Sequence, residues 1–403
     1  MPSSSSVLSK ITPISFEDTS VAFSAKSDYN LKKAYFLFAA MNKQWLVKLG
    51  TFFIKLAIRL HLPIKNLIKV TVFEQFCGGE TIKDCQKTID NLGKSQIGTI
   101  LDYSVEGEDS DKSFDTTTQE ILLTIERART NVSIPFCVFK VTGLASTDLL
   151  EKIQQFGQDT LSDQERLDYS HVLDRVDSLC AKAHQHGVKI FIDAEESWIQ
   201  GTIDDIAYKM MEKYNQSHPI VFNTYQLYLK DTLQKLVKDS DNAVNQNYFL
   251  GAKLVRGAYM EKERLRAHEG EYCDPVNRTK EDTDKDYDSA VQFCVRNLDS
   301  VAICMGTHNE KSCQKLVCEM TKLHLDANHP HIWFAQLLGM SDNISYKLSK
   351  EGFNVAKYVP YGPVEAVMPY LIRRAEENTS VAGQTGREFS LIRKELIRRK
   401  CAS

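Results

Sequence analysis

The organisation of the chain is clearest at Tyr169-Ser-His-Val-Leu-Asp-Arg-Val-Asp-Ser-Leu-Cys-Ala-Lys-Ala-His-Gln-His186, followed after Gly187 by Val188-Lys-Ile-Phe-Ile-Asp193. The first part has the apolar spacing of an amphipathic helix, and the second is a short run rich in β-branched and aromatic residues. Alternation of a helix with a buried strand indicates an α/β protein with a parallel sheet.

Short apolar segments of this kind occur eight times after residue 97, with longer helical patterns between them. They are Gly98–Tyr103, Pro135–Lys140, Val188–Asp193, Ile220–Tyr225, Gly251–Arg256, Val301–Met305, His331–Ala335 and Asn354–Tyr358. Eight strand-helix units close a (βα)₈ TIM-like barrel. A doubly wound sheet would require a Gly-rich turn after its first strand, and Tyr103-Ser-Val-Glu-Gly107 lacks G-x-G-x-x-G. We therefore predict a barrel at 96–395, with an N-terminal helical region at 1–95 and a C-terminal tail at 396–403.

Composition narrows the functional classes. A chain of 403 residues with 42% apolar and 26% charged residues is typical of a soluble globular protein, and a net charge of -3 argues against a general nucleic-acid binder. The ten cysteines form no C-x-x-C pair, so we expect free thiols in a reducing compartment. Met1–Ser6 lacks the apolar core of a secretory signal, and the acidic Glu17 and Asp18 fit an organelle transit peptide poorly.

Residues 31–70 combine many lysines and apolar residues with no Asp or Glu. Apolar runs such as Ala34–Met41 are shorter than the roughly 20 residues needed to span a bilayer. Basic residues beside Phe52, Phe53, Ile54 and Leu56 are typical of an amphipathic helix that lies on a membrane. Ordinary helices packed against the main domain would have the same composition, so both interpretations stay open.

Functional residues of a barrel gather where its strands end. The polar residues at these ends are Asp102, Lys140, Asp193, Gln226, Lys253, Arg256, Thr307, His308, Asn309, Gln336 and Tyr358. The chain contains no H-E-x-x-H, no carboxylate-histidine cluster and no G-x-S-x-G, so we predict neither a metal site nor Ser-His-Asp acyl transfer.

Two adjacent arginines point to a small anionic ligand. Tyr370, Arg373 and Arg374 are spaced i, i+3 and i+4 and project from one helix face. Paired guanidinium groups suit a carboxylate, although ion pairs with Glu377 on a solvated helix are the alternative. Lys140 would add positive charge, and Asp193 would offset only part of it.

An ordered set of motifs resembles the proline dehydrogenase family. They are Lys253-Leu-Val-Arg-Gly-Ala-Tyr259, Gly306-Thr-His-Asn309, Phe334-Ala-Gln-Leu-Leu-Gly-Met340, Tyr358-Val-Pro-Tyr-Gly-Pro363 and Tyr370-Leu-Ile-Arg-Arg374. The resemblance covers residues 16–395 and is specific because the motifs occur in the family's order. It implies a distorted (βα)₈ barrel with additional N-terminal helices, in a monofunctional enzyme.

The resemblance also implies an activity. L-proline would be oxidised to Δ1-pyrroline-5-carboxylate by hydride transfer to N5 of FAD, with a membrane quinone taking the electrons, as the first step of proline degradation to glutamate. The protein would lie in the cytoplasm or on the cytoplasmic face of a bacterial inner membrane, or at the mitochondrial inner membrane or matrix. The oligomeric state stays open.

Site roles carry over to the matching positions. Lys140, Asp193 and Lys253 would be catalytic. The substrate would contact Lys140, Ala258, Tyr259, Leu337, Tyr358, Tyr370, Arg373 and Arg374. FAD would contact Gln226, Lys253, Val255, Gly257, Lys280, Thr283, Thr307, His308 and Glu377.

Two departures and two alternatives accompany the resemblance. Lys253 and Met260 stand where bifunctional bacterial relatives carry Arg and Trp, which alters hydrogen bonding near the flavin and the cover of its adenine. One alternative is hydroxyproline dehydrogenase, against which the bulky Tyr358 argues because that branch carries a smaller residue there. The other is a flavin-free barrel that senses an amino acid.

Overall fold

The computed structural model describes residues 14–60, 64–105, 110–380 and 384–402. Inside its helices, the side chains of residues 44, 54–59, 375–380 and 384–385 lie outside the described part. The predictions for Met1–Ser6 and for the side chains of Ile54, Leu56 and Glu377 therefore fall outside it.

Eight parallel strands form a closed barrel in the order β1 to β8 within the described ranges. They are β1 Ile97–Tyr103, β2 Phe136–Lys140, β3 Lys189–Asp193, β4 Val221–Gln226, β5 Leu250–Val255, β6 Val301–Gly306, β7 Ile332–Leu337 and β8 Val355–Tyr361. All eight predicted segments are confirmed as strands, and the barrel prediction is confirmed with them.

The last strand extends further than its apolar run indicated. The prediction ended at Tyr358, but β8 continues to Tyr361. The Gly78 N–H donates to the Pro360 carbonyl at 2.9 Å, and Gly79 forms a parallel bridge with Tyr361. A distant segment thus satisfies backbone groups at the end of the strand, which the local sequence could not indicate.

An aromatic core fills the barrel. Phe136 and Phe191 stack with ring centroids 4.4 Å apart, while Phe222 and Trp333 meet the Phe136 ring edge-on. Because these side chains occupy the interior, the barrel is a packed core rather than a channel, and its polar groups are left at the carboxyl ends of the strands.

Helices cover the outside of the barrel. They are α7 Asp111–Arg129, α8 Thr147–Phe156, α9 Asp163–His186, α10 Ser197–Tyr214, α11 Thr232–Asn245, α12 Met260–Glu269, α13 Lys280–Arg296, α14 Glu310–Lys322 and α15 Asp342–Lys350. Helix α9 begins before the predicted Tyr169 because Ser162 and Glu165 form a capping box. Gly187, with φ of 64°, ends it in the left-handed conformation.

Terminal helices form a second core beside the barrel. At the N-terminal side lie α1 Thr19–Ala22, α2 Asp28–Met41, α3 Gln44–Arg59, α4 Lys65–Ile68, a π-turn at Lys69–Phe73, α5 Glu74–Phe76 and α6 Gln86–Gly93. At the C-terminal side lie α16 Met368–Ser380 and α17 Gln384–Ala402. Leu31 and Phe38 of α2 share an apolar cluster with Leu371 of α16 and Leu391 of α17.

This packing joins the chain's two terminal regions. The predicted division into 1–95, 96–395 and 396–403 stays a prediction, and α17 runs unbroken across residue 395. The ten cysteines are free thiols, as expected. No helix among the described residues is long and apolar enough to cross a membrane.

Candidate active site

Three strand ends bring a buried ion pair and a phenol together at the mouth of the barrel. The Lys253 ammonium forms a salt bridge with the Asp193 carboxylate and donates a hydrogen bond to the Tyr358 oxygen at 2.7 Å. The Tyr358 hydroxyl in turn donates to Asp193 Oδ1 at 3.2 Å. We call these three side chains the mouth triangle. Lys253 is only 4% exposed, so its charge depends on these partners.

Aromatic rings enclose the Lys253 ammonium. Its Nζ lies 4.8 Å from the centroid of the Tyr358 ring and 5.3 Å from that of Phe191. Both ring faces favour a cation at this position. Burial raises the pKa of Tyr358 well above its ordinary value, and the charge of Asp193 adds to the rise, so the phenol keeps its proton at neutral pH.

Two further carboxyl groups lie around Lys140, which the β2–β3 register places opposite Asp193. Burial raises the pKa of Asp102, and the Asp193 charge adds to the rise, whereas Lys140 partly offsets it. Burial likewise raises the pKa of Glu195, against the opposite effect of Lys140. These two acids beside Lys140 agree with the expectation that Asp193 would offset only part of the positive charge.

The turn after β5 carries the predicted ring contacts. Val255 and Tyr259 are half-buried, and Gly257 and Ala258 are exposed. Gly257 has a φ of 89°, a conformation that favours glycine. Burial raises the pKa of Tyr259 to about 12, and the charges of Lys140 and Arg373 act in the opposite direction.

The turn after β6 holds Thr307 and His308. Arg256 donates to Thr307 Oγ1 at 3.0 Å, and Gln336 donates to the Thr307 carbonyl at 3.1 Å. His308 Nδ1 lies 2.9 Å from Ser341 Oγ. Burial lowers the pKa of His308 to about 3, and the charges of Lys357, Arg374 and Arg256 act in the same direction. The imidazole is thus neutral at physiological pH.

Gln226 and the first turn of α13 contribute amide and hydroxyl groups. Gln226 is buried, donates to the Glu195 carbonyl at 2.6 Å and accepts from the Tyr228 hydroxyl at 3.1 Å. Thr283 is buried, and its Oγ1 has no hydrogen-bond partner among the described residues. Lys280 is mostly exposed and pairs with Asp284 at 2.5 Å.

The two arginines of α16 influence the pKa values of side chains that follow two neighbouring strands. Arg373 acts on Tyr259 after β5, and Arg374 acts on His308 after β6. The Arg374 guanidinium also lies 5.3 Å from the Tyr370 ring centroid. The half-buried Leu337 of β7 packs against the apolar cluster that contains Tyr370 of α16. That all the predicted substrate residues surround one ligand stays a prediction.

Some residues of the site were missed from sequence. Asp102 and Arg256 were noted only as strand-end residues, and Glu195 only follows the third strand by two positions. Asp102 was already among the strand-end candidates, and a search for every carboxylate within two residues of a strand end would also have found Glu195. Ser341, by contrast, carries no local signal.

The sequence matches a known protein family over most of its length. The family model described as proline dehydrogenase matches residues 85–387. The chain belongs to the proline dehydrogenase family. It is therefore an enzyme of that family, and the family resemblance of the ordered motifs is confirmed.

Three curated relatives align with most of this chain. The carbapenem antibiotics biosynthesis protein CarD of Pectobacterium carotovorum subsp. carotovorum is 37% identical over 80% of this chain and 83% of its own. Mitochondrial proline dehydrogenase 1 of Dictyostelium discoideum is 32% identical over 95% of this chain and 74% of its own. Hydroxyproline dehydrogenase of Xenopus laevis is 29% identical over 96% of this chain and 90% of its own.

A solved structure shares the fold. Proline utilization A from Bdellovibrio bacteriovorus, inactivated by N-propargylglycine, superposes with a TM-score of 0.72 at 17% identity. The likeness covers 92% of this chain but only 39% of that longer protein. It supports the barrel architecture, and the residue roles stay predictions.

The mouth triangle generates a stability prediction for this proline dehydrogenase family member. Lys253→Met leaves the Asp193 carboxylate without its cation, and we expect a loss of about 3 kcal/mol in unfolding free energy. Lys262→Met is the matched control, because Lys262 pairs with Glu196 at 2.7 Å while 60% exposed, and should cost under about 1 kcal/mol. Urea unfolding measures the free energy of unfolding of both variants. Equal losses would contradict the larger contribution that we assign to the buried Lys253–Asp193 pair.

Proposed function

We propose that the chain oxidises L-proline to Δ1-pyrroline-5-carboxylate, with FAD as its resident cofactor and a membrane quinone as the final electron acceptor. Family membership supports the reaction class. The product would enter the breakdown of proline to glutamate.

The observation that carries the proposal is that Lys140, Arg373 and Arg374 act electrostatically on Tyr259 and His308, which follow neighbouring strands. Arg373 and Lys140 both act on Tyr259, although they come from α16 and β2. Cations that converge from separate elements suit a ligand carboxylate, which guanidinium groups bind through paired charge-assisted hydrogen bonds. A clamp on one end of a small amino acid also fixes the position of its ring.

The cofactor residues fit FAD on three observations. Thr283 Oγ1 is a buried hydroxyl that lacks a protein partner among the described residues. Gly257 presents open backbone, since a Cβ there would meet only Met260 Sδ at 3.9 Å. Gln226, Thr307 and the neutral His308 add amide, hydroxyl and imidazole groups that suit an uncharged heterocycle.

Different residues of the chain would contact different parts of the cofactor. Gln226, Lys253, Val255, Gly257, Thr307 and His308 would hold its ring side, and Lys280 and Thr283 its phosphates, with Glu377 as a further predicted contact. Bound FAD would supply the hydride acceptor that no side chain offers.

The side chains prepare the substrate. Arg373, Arg374 and Lys140 bind its carboxylate, and their positive field lowers the pKa of the substrate amine. Asp193 holds Lys253 and Tyr358 in place. Lys253 contributes a fixed positive charge at the mouth, which would favour the negative charge that bound FAD would gain on accepting the hydride. Tyr259, Ala258, Leu337, Tyr358 and Tyr370 wall the ring.

Arg373→Met and Arg374→Met test the carboxylate clamp. We expect unchanged FAD content and a fall of about 10- to 150-fold in kcat/KM for proline, equivalent to roughly 1.5–3 kcal/mol per charge-assisted bond. Arg393→Met, an exposed arginine of α17, is the control and should behave as wild type. Wild-type kinetics in both α16 variants would return these residues to surface ion pairing. A colourless, well-folded wild type after expression with riboflavin would favour the flavin-free sensor.

Hydroxyproline oxidation is the second candidate, because the Xenopus laevis relative carries that name. Tyr358 discriminates, since its ring is buried beside Phe191 and leaves little room for an added hydroxyl. We expect Tyr358→Ser to lower the proline-to-hydroxyproline ratio of kcat/KM by at least about tenfold, or ~1.4 kcal/mol.

Tyr358→Phe separates size from hydrogen bonding. It keeps the ring but removes the hydroxyl of the mouth triangle, so activity should fall while the substrate ratio stays near that of wild type. Steady-state kinetics with both substrates on all three proteins decides the matter. A wild type that prefers hydroxyproline would place the second candidate first.

A peripheral position on the quinone-bearing membrane is supported by α3. Trp45, Leu49, Phe52 and Phe53 are exposed at i, i+4, i+7 and i+8, which is one face of the helix. We call them the apolar α3 face. The other side of the helix packs inward through Val47. Buried side chains of α2 agree with the interpretation of packed helices, and the apolar α3 face supports the proposal of membrane contact.

Charge beside the apolar α3 face suits anionic lipid. Lys32, Lys43 and Lys48 are exposed, whereas Lys33 and Lys69 pair with Glu74 and Glu80. We propose the cytoplasmic face of the inner membrane in a bacterium, or the matrix face in a mitochondrion, with release into the cytoplasm or matrix when charge is screened.

Phe52→Glu combined with Phe53→Glu tests this position. We expect the double variant to lose co-sedimentation with anionic vesicles, and the wild type to lose it progressively as salt rises. Phe156→Glu on α8 is the control, because Phe156 and Phe52 are both 59% exposed. Equal binding by both variants, or binding that ignores salt, would contradict the proposal.

A further inference from the structure

The turn that carries His308 is held from outside by two consecutive residues of α17. Arg387 forms a two-pronged contact with Glu310, through Nε at 2.9 Å and Nη2 at 3.2 Å. Glu388 accepts a hydrogen bond from the Ser341 N–H, and Ser341 Oγ lies 2.9 Å from His308 Nδ1. The two side chains therefore reach both sides of one short turn, Thr307 to Glu310.

Local backbone conformation makes the Glu388 contact consequential. Ser341 has a φ of 50°, which is left-handed and uncommon for a residue with a Cβ. Such a conformation persists only when the surroundings impose it. The Glu388 carboxylate holds the Ser341 N–H in this orientation and so directs its hydroxyl toward His308.

The Arg387 contact holds the other end of the Thr307–Glu310 turn, at Glu310. Glu310 is the first residue of α14 and also accepts from the Asn343 side chain at 2.8 Å. Asn309 caps the same helix through the N–H groups of Lys311 and Ser312. With Glu310 fixed by Arg387, the start of α14 and the turn before it cannot shift independently.

We propose that Arg387 and Glu388 are positioning residues that hold the Thr307–Glu310 turn, and with it His308, in the shape that accepts the cofactor. The inference rests on the proposed FAD site. Neither residue touches the mouth triangle, so both act through the turn.

Charges around Glu388 make its contact sensitive to pH. Burial raises the pKa of Glu388 to about 7, and Asp342 adds to the rise, whereas the Ser341 N–H, Lys357 and Lys26 oppose it. His308 faces the same junction, but it is neutral throughout this range. Because the folded pKa is raised, the stability contributed by the protonated carboxyl is fully present below the ordinary Glu pKa and is lost as pH rises through 7.

The experiment uses Arg387→Met, Glu388→Ala and Glu388→Gln, with the exposed Arg393→Met as control. The FAD dissociation constant is measured by rebinding FAD to stripped protein. Amide hydrogen exchange of the 301–310 segment is measured in the same protein without FAD. We expect Arg387→Met and Glu388→Ala to weaken FAD at least about fivefold and to accelerate exchange at the turn, because residues in one contact network are coupled.

Glu388→Gln separates charge from hydrogen bonding. Its amide oxygen keeps an acceptor for Ser341, so FAD should bind more tightly than in Glu388→Ala. The difference in unfolding free energy between wild type and Glu388→Gln should change between about pH 5 and 8 and level off above it.

The outcomes distinguish the two proposals. Wild-type exchange and FAD affinity in both Arg387→Met and Glu388→Ala would overturn the positioning role. Failure of the wild type to bind FAD would overturn the proposed cofactor instead, while the exchange measurement would still test the hold on the turn.

Discussion

Closure of eight parallel strands into one ring is the constraint on which the site depends. In a closed parallel barrel all carboxyl ends point to the same rim, and the packed interior blocks the other direction. The stacked Phe136 and Phe191 rings fill the space below, so polar groups that face inward near the strand ends have only the rim available. Residues as far apart in sequence as Lys140 and Tyr358 thereby share one small volume.

The balance of positive and negative groups at the rim determines which ligands it can bind and how stable it is. A rim of unopposed cations would bind many anions and would destabilise the fold. Here Asp193 pairs with the deeply buried Lys253, and Lys140 opposes the rise in pKa that burial causes at Asp102 and Glu195. Arg373 and Arg374 are half-buried, and they are the residues that we propose bind the substrate carboxylate. Under the proposed function, cations together with carboxyl groups suit a small zwitterionic substrate better than a positive pocket alone would.

Much of the fold was predictable because buried parallel strands are short apolar runs with clear ends. The membership of the rim was largely predictable too, since it follows from strand ends. Pairing was not predictable, because it depends on the register and tilt of the strands. Lys253 and Asp193 are 60 residues apart, and nothing in either segment indicates that their side chains meet. The extension of β8 and the hold of Glu388 on Ser341 likewise depend on segments distant in sequence.

The packing of the two terminal regions against each other beside the barrel bears on substitutions in these regions and on truncation of the chain. The family-matching segment stops at residue 387, yet Lys26 forms a salt bridge with Asp342 at 3.3 Å, and Arg399 reaches Asp28 at 2.7 Å. Substitutions in the segments outside residues 85–387 can therefore remove ion pairs of the folded chain. A shortened chain that keeps only residues 85–387 would lose both ion pairs, so the segment that matches the family model is shorter than the part of the chain that packs together.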